Sequence, residues 1–330
     1  GASTSDLNYQ AEQLPRPRRY QQATGEPMTD GATNTPREVV EADPVASLLA
    51  VLTLSFSGSR TTEDIFTGVS QSMPLGRVYG GQVLSQSIVA ASHTLPPGRT
   101  VHSMHGYFLR PGDSSAGITF AVDRIHDGRS FSTRRTQAYQ DGVPIFSMIA
   151  SFQDEGPGVE HAEPMPSGIP HADELPDLED HLVGLHPMSK RMFTDRPLDV
   201  RHVPGPIYLH VEGEHVPHQA VWLRTRRSLP DDPDLHRAAL AYLSDMTIQE
   251  SVLRAHGVAW STPGLKVASL DHAMWWHRFA RVDEWLLYVQ ESPSARGGRG
   301  LATGRIYSSE GILVASVAQE ITIRLPHDRD

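Results

Sequence analysis

From residue 46 onward, apolar and polar positions run through the same sequence of periods twice. Each run opens on a helical stripe and continues into strands that alternate apolar and polar residues. "GGQVLSQSIVAASHTL" (80–95) opens the first run and "DDPDLHRAALAYLSDMTIQ" (231–249) the second. In the second, Leu235, Ala239, Tyr242, Leu243 and Met246 share one stripe at helical spacing. Asp232 stands where an N-cap would accept free amides, and Pro233 suits a first helical turn. A strand follows each helix, "VHSMHGYFLRP" (101–111) and "ASLDHAMWWHR" (268–278), which align through His105 and His272. Further on, "RSFSTRRTQAYQDGVPIFSMIASF" (129–152) and "RGLATGRIYSSEGILVASVAQEITI" (299–323) each predict two strands about an Asp-Gly or Glu-Gly turn. Gly142 aligns with Gly311 there, and a short insertion reconciles the two alignments. The expected fold is α+β, one helix lying across an antiparallel sheet, made twice. Neither half buries its helix alone, so the halves must close on each other.

The rest of the chain bounds this picture. Residues 1–44 are rich in Pro, Gly, Thr, Gln and charge, with "PRPRR" at 15–19, and predict an extension outside the core. The first repeat is expected over 45–153 and the second over 197–326. A Pro-rich, acidic linker with short helical turns is expected between them over 154–196, and a tail over 327–330. No apolar run is long enough to span a bilayer and no secretory-type segment is visible, so a soluble, cytoplasmic protein is expected. "RLPHDRD" at the C-terminus carries no Ser-Lys-Leu peroxisomal address, which points the same way. The absence of cysteine excludes disulfides, Cys-ligated metals and Cys nucleophiles. A net charge of −10 without a basic stripe argues against nucleic acid and membrane as partners. All but two of the 29 basic residues are arginine, which suits phosphate recognition but also follows from GC-rich coding.

Chemistry shows where a duplicated fold departs from its own repeat. In the last strand Leu313, Ala315, Val317, Gln319, Ile321 and Ile323 share the core-facing phase, which places an amide among aliphatics. Burying it costs roughly 1–3 kcal/mol unless its polar atoms are paired. Its counterpart in the first repeat is Ala150, beside Phe146, Met148 and Phe152. Ser269, aligned with His102, and Asp245, after the second helical stripe, are the candidate partners. Each residue alone has an ordinary explanation, since helical aspartates are usually solvated or capping and strand serines usually inert. Their coincidence on one repeat points to a site, with one site per chain, in the second half.

"RVYGGQVLSQSIVAA", "VHSMHGYFLRPGD", "DGRSFSTRRTQAYQDGVPIFSMIASFQ", "LAYLSDM", "ASLDHAMWWHR" and "LVASVAQE" together resemble the TesB-type acyl-CoA thioesterase II family over about residues 46–325. The resemblance implies a double hotdog, two tandem helix-wrapped antiparallel sheets. It also implies a catalytic trio of Asp245, Ser269 and Gln319, with Ser269 where some members carry Thr. The implied substrate is a fatty acyl-CoA, with medium to long chains expected. No cofactor or metal is expected, and homo-oligomers are. Asp245 would take a proton from water, Gln319 would hold that water, and Ser269 would bridge them. No GxSxG elbow is present to favour a serine nucleophile. "GGRGLATG" (297–304) precedes a strand rather than a helix, and "HVEGEHVPH" (210–218) lacks metal-ligand spacing. Trp275 and Trp276 fall on opposite strand faces. Two other readings remain: a non-catalytic acyl-CoA-binding or sensing protein on the same fold, and an enoyl-CoA hydratase, whose GDxNPxH context is missing.

Overall fold

Two aspartates start two of the helices, in each case with proline behind them. Asp43 accepts from the Val45 amide at 3.0 Å to begin α1 (Pro44–Val51), and Asp232 accepts from the amides of Asp234 and Leu235 to begin α4 (Pro233–Ser244). The computed structural model describes residues 43–57, 62–183 and 195–325, so the expectations of an N-terminal extension (through residue 42) and a C-terminal tail lie outside it. The first run comprises α1, β1 (Ser55–Phe56), β2 (Asp64–Gly68), α2 (Gly80–Ser92), β3 (Arg99–Phe108), β4 (Ile118–Asp127), β5 (Phe131–Gln140) and β6 (Val143–Asp154). A 3-10 turn at Ala172–Glu174 and α3 (Leu178–His181) follow. The second run is β7 (Leu198–His202), β8 (His218–Thr225), α4, α5 (Glu250–Ala255), β9 (Lys266–Ser269), β10 (Asp271–Trp276), β11 (Leu286–Arg296), β12 (Arg299–Ser308) and β13 (Leu313–Arg324).

Among the described residues the strands form one 13-stranded sheet in the order β1-β2-β4-β5-β6-β3-β10-β13-β12-β11-β8-β7, with β9 also on β13. The two halves meet at β3 and β10, the pair of strands that look alike in sequence, which run antiparallel with Met104 opposite Met274 and Gly106 opposite His272. This is the double hotdog. Helices α2 and α4 lie against each other inside the sheet, and their apolar faces close one continuous core with Phe120, Phe146, Phe152, Tyr288 and Ile306. Helix α2 is unusually polar for a core helix, and its two glutamines are paired. Gln86 donates to the Val51 and Val69 carbonyls, and Gln82 accepts from the Gln71 amide, tying the segment before α2 to the helix. On the outside of the second half, Met165, Ile169, Ala172 and Leu175 cover Trp222, Trp285, Leu287 and Tyr307. Trp276 is buried and Trp275 stacks edge-on against His105, so the two tryptophans do take opposite faces. No helix among the described residues is long and apolar enough to cross a membrane.

One alignment needs correcting. His105 is exposed and His272 fully buried, so the two histidines are not equivalent. Met104 sits opposite Ala150, and His272 bonds to Gln319, so His272 corresponds to Met104. Likewise Val101 opposite Phe152 matches Ser269 opposite Ile321, and the counterpart of Ser269 is Val101, not His102. The cause is an irregularity that both repeats share. β3 bulges between Val101 and Ser103, and the second repeat breaks at Leu270 between β9 and β10. Each slip moves residues three apart onto the same face. Letter matching followed the histidines and fell one residue out of phase.

The seam is tightly packed at Gly106, where an added Cβ would lie 2.3 Å from the Phe146 ring. Gly106→Val should therefore destabilise the fold by about 1–3 kcal/mol through overpacking, read as a lowered urea midpoint with little change in slope.

Candidate active site

The end of one helix and the start of the other make the site. α4 stops at Ser244, and Asp245 is its C-cap residue, turned inward at 2% exposure. Opposite it begins α2, whose first residues are Gly80 and Gly81. Asp245 reaches so close that a Cβ on Gly80 would fall 2.6 Å from its Oδ2, and the Gly81 amide donates to the carboxylate. Glycine is needed here for close approach, not for an unusual backbone angle. The positive end of a 13-residue helix from the first repeat thus faces a carboxylate from the second.

The sheet supplies the rest. β9 places Ser269 with its Oγ 3.5 Å from Asp245 Oδ1, and β13 places Gln319 so that its Nε2 donates to Ser269 Oγ at 2.7 Å and bonds Asp245 as well. The three residues singled out in the sequence are therefore brought together, within the second half of the sheet. Gln249, one turn beyond Asp245, donates from Nε2 to the Asp245 carbonyl at 3.1 Å and to Oδ1 at 3.3 Å. Its Oε1 is buried with no partner among the described side chains. Tyr79 donates its hydroxyl to the Tyr242 carbonyl, and Tyr288 to the Ser244 carbonyl, which pins the last turn of α4 just ahead of Asp245.

Burial and hydrogen bonding pull on Asp245 in opposite directions. Desolvation dominates and raises its pKa to about 7, while donors from Gln319, Gly81 and Ser269 hold it from rising further. His272 is pushed down to about 4 by burial and is neutral. A carboxylate that titrates near neutrality, inside a closed site, is matched to taking a proton from water at ordinary pH.

The other end of the helix pair shows why one site forms. There α2 ends with His93 at its C-cap, where α4 has Asp245. α4 begins with Pro233, which has no N–H, and its next amides are taken by Asp232. Val101, Met104 and Ala150 stand where the second half has Ser269, His272 and Gln319, so the carboxylate, hydroxyl and amide of the site have no counterpart there. Sequence reading missed Gly80, Gly81, Gln249 and His272. The glycine pair before a helix was the visible signal. Nothing in the sequence alone assigns Gln249 or His272 to the site.

Comparison with known proteins gives the family. Residues 188–322 match the acyl-CoA thioesterase family and residues 69–153 the acyl-CoA thioesterase N-terminal domain. The chain belongs to the acyl-CoA thioesterase family. It is 37% identical over 272 residues to acyl-CoA thioesterase 2 of Haemophilus influenzae, covering 79% of this chain and 92% of that one. It is 35% identical over 298 residues to acyl-coenzyme A thioesterase 8 of Homo sapiens, covering 86% and 92%. The crystal structure of an acyl-CoA thioesterase II from Mycobacterium marinum superposes with a TM-score of 0.69 at 43% identity, over 84% of this chain and 98% of that one.

The raised pKa of Asp245 has a stability consequence. Between the ordinary carboxylate value near 3.8 and its folded value of about 7, the native state keeps a proton that the unfolded chain has released. Native stability from this group therefore falls as pH rises through that window. Asp245→Asn carries no such cost, so it should be the more stable protein at pH 8, by up to about 4 kcal/mol, and close to equal at pH 4. Thermal melts at the two pH values measure the difference.

Proposed function

We propose that this chain hydrolyses fatty acyl-CoA thioesters by direct attack of a water held between Asp245 and Gln249. The observation that carries this reading is a buried carboxylate of pKa about 7 beside an unpartnered buried acceptor, Gln249 Oε1. A water in that position donates one O–H to Asp245 and the other to Gln249 Oε1, which turns a lone pair toward the thioester carbon. Asp245 takes the proton as the C–O bond forms. The carbonyl oxygen gains charge at the start of α2, where the positive end of the helix dipole favours it. Collapse breaks the C–S bond, and the proton on Asp245 passes to the departing CoA thiolate. Ser269 accepts from Gln319 and donates to Asp245, so the two move as one unit.

Phe108 lies beside Gly80, with Phe146 packed behind it at 5.0 Å, and supplies an apolar wall next to the reacting carbon. This supports medium to long acyl chains. A second reading, a protein that binds acyl-CoA without turnover, leaves the raised carboxylate and its donors without a purpose. The kinetic test separates the two. The value of kcat/KM for thiol release should rise tenfold per pH unit below an apparent pKa of about 7 and level off above it. Asp245→Asn should lose at least about 100-fold on the plateau and show no such pH dependence. A profile flat from pH 5 to 8 would remove Asp245 as the base.

Self-association through the outer face of the first half is part of the same proposal. Tyr107 (62% exposed) and Ile149 (50% exposed) stand there on neighbouring strands, while the linker covers the matching face of the second half. Sedimentation should show an oligomer that Tyr107→Glu with Ile149→Glu converts to a monomer.

A further inference from the structure

The trio works only if the Gln319 amide points the right way round, and its shape does not decide that. Oxygen and nitrogen are nearly equal in size, so packing accepts either orientation. With Oε1 toward Ser269 and Asp245, an acceptor would face a carboxylate, and the two N–H bonds that Gln319 gives them would be lost. Something must bias the amide. Its only other neighbour in this chain of bonds is His272, which is fully buried and bonded at both ring nitrogens.

We propose that His272 is a positioning residue, whose Nδ1–H holds Gln319 Oε1 and thereby turns Gln319 Nε2 toward Ser269 and Asp245. The bonds run in one direction. The Ser244 hydroxyl lies 2.9 Å from His272 Nε2 and donates to it; His272 Nδ1–H donates to Gln319 Oε1; Gln319 Nε2 donates to Ser269 Oγ at 2.7 Å. The Ala241 carbonyl lies 2.8 Å from the same serine hydroxyl and competes for its proton. Gln319 Oε1 can only accept, so the contact at Nδ1 requires the ring hydrogen there; Nε2 is then a lone pair, and the Ser244 hydroxyl turns from the Ala241 carbonyl to meet it. Because burial keeps the ring neutral, one nitrogen must accept and the other donate, and the relay has a single sense. Ser244 directly precedes Asp245, so the relay begins on the residue beside the base and returns to it. The first repeat agrees: where Gln319 becomes Ala150, His272 becomes Met104, and the Met104 and Ala150 pair needs no orientation.

This inference rests on the trio being the catalytic site. Its test uses the full chain with His272→Leu, His272→Asn, Gln319→Met and the double variant His272→Leu with Gln319→Met. His272→Leu should lower kcat for acyl-CoA hydrolysis by about 10- to 100-fold with KM changed less than about twofold. His272→Asn, whose side-chain N–H can occupy the Nδ1 position, should recover most of that loss. Adding His272→Leu to Gln319→Met should cost nothing further in kcat, because the amide it orients is gone. A merely structural histidine would give additive losses. In the unmutated protein, long-range nitrogen-15 correlation spectra should show His272 as the Nδ1–H tautomer, a readout independent of activity and of whether any variant folds. The Nε2–H tautomer, additive losses or unchanged kcat in His272→Leu would each overturn the proposal. Full activity in Gln319→Met would instead sink the reading of the trio itself.

Discussion

A carboxylate kept out of water is the constraint around which this molecule is built. Asp245 sits at the junction of two helix ends, and burial there is costly for an ion, which is why its pKa climbs to about 7. The surroundings keep the ion accessible without making it comfortable. Four donors, from Ser269, Gln319, Gln249 and the Gly81 amide, converge on it, yet desolvation still outweighs them. A fully satisfied carboxylate would be inert at neutral pH, and an unsupported one would never ionise. Asp245 is held between the two.

The duplication makes that balance possible. Antiparallel packing of α2 on α4 brings the start of one helix against the end of the other, so the first repeat contributes backbone amides and the second contributes side chains. The same packing generates a pseudo-equivalent junction at the opposite end, where Asp232 and Pro233 consume or remove the amides and His93 replaces the acid. A capping residue and a proline, both favourable for starting a helix, are there incompatible with an anion site. One end of the helix pair is capped for helix stability, and the other leaves an amide to a buried carboxylate.

A separate buried network reinforces the second repeat behind the site. Glu250 is charged in the interior and held low in pKa chiefly by His202, with Gln219 and Trp260 also donating to it. Gln219 continues to Gln290, and Gln290 to Thr247, two residues past Asp245. Every member has a partner, which is the condition under which a polar core rigidifies rather than weakens a fold. That rigidity fixes α5 and the turn carrying Gln249.

Much of this was legible in the chain. The strict alternation of β13 placed Gln319 among aliphatics, and capping chemistry placed the start of α4 at Asp232 and Pro233. Family resemblance joined Asp245 and Ser269 to Gln319. These are local properties, set by side-chain periodicity and by the hydrogen bonds a helix end leaves open. The phase of Ser269 and His272 was not legible, because it depends on the break at Leu270, and alternation cannot reveal where a strand slips. The roles of Gly80 and Gln249 were not legible either, since each arises from approach between segments distant in sequence or from a turn whose direction is set by the packed core. Periodicity determined which residues are buried; only the closing of two repeats on each other decided which buried polar groups would meet.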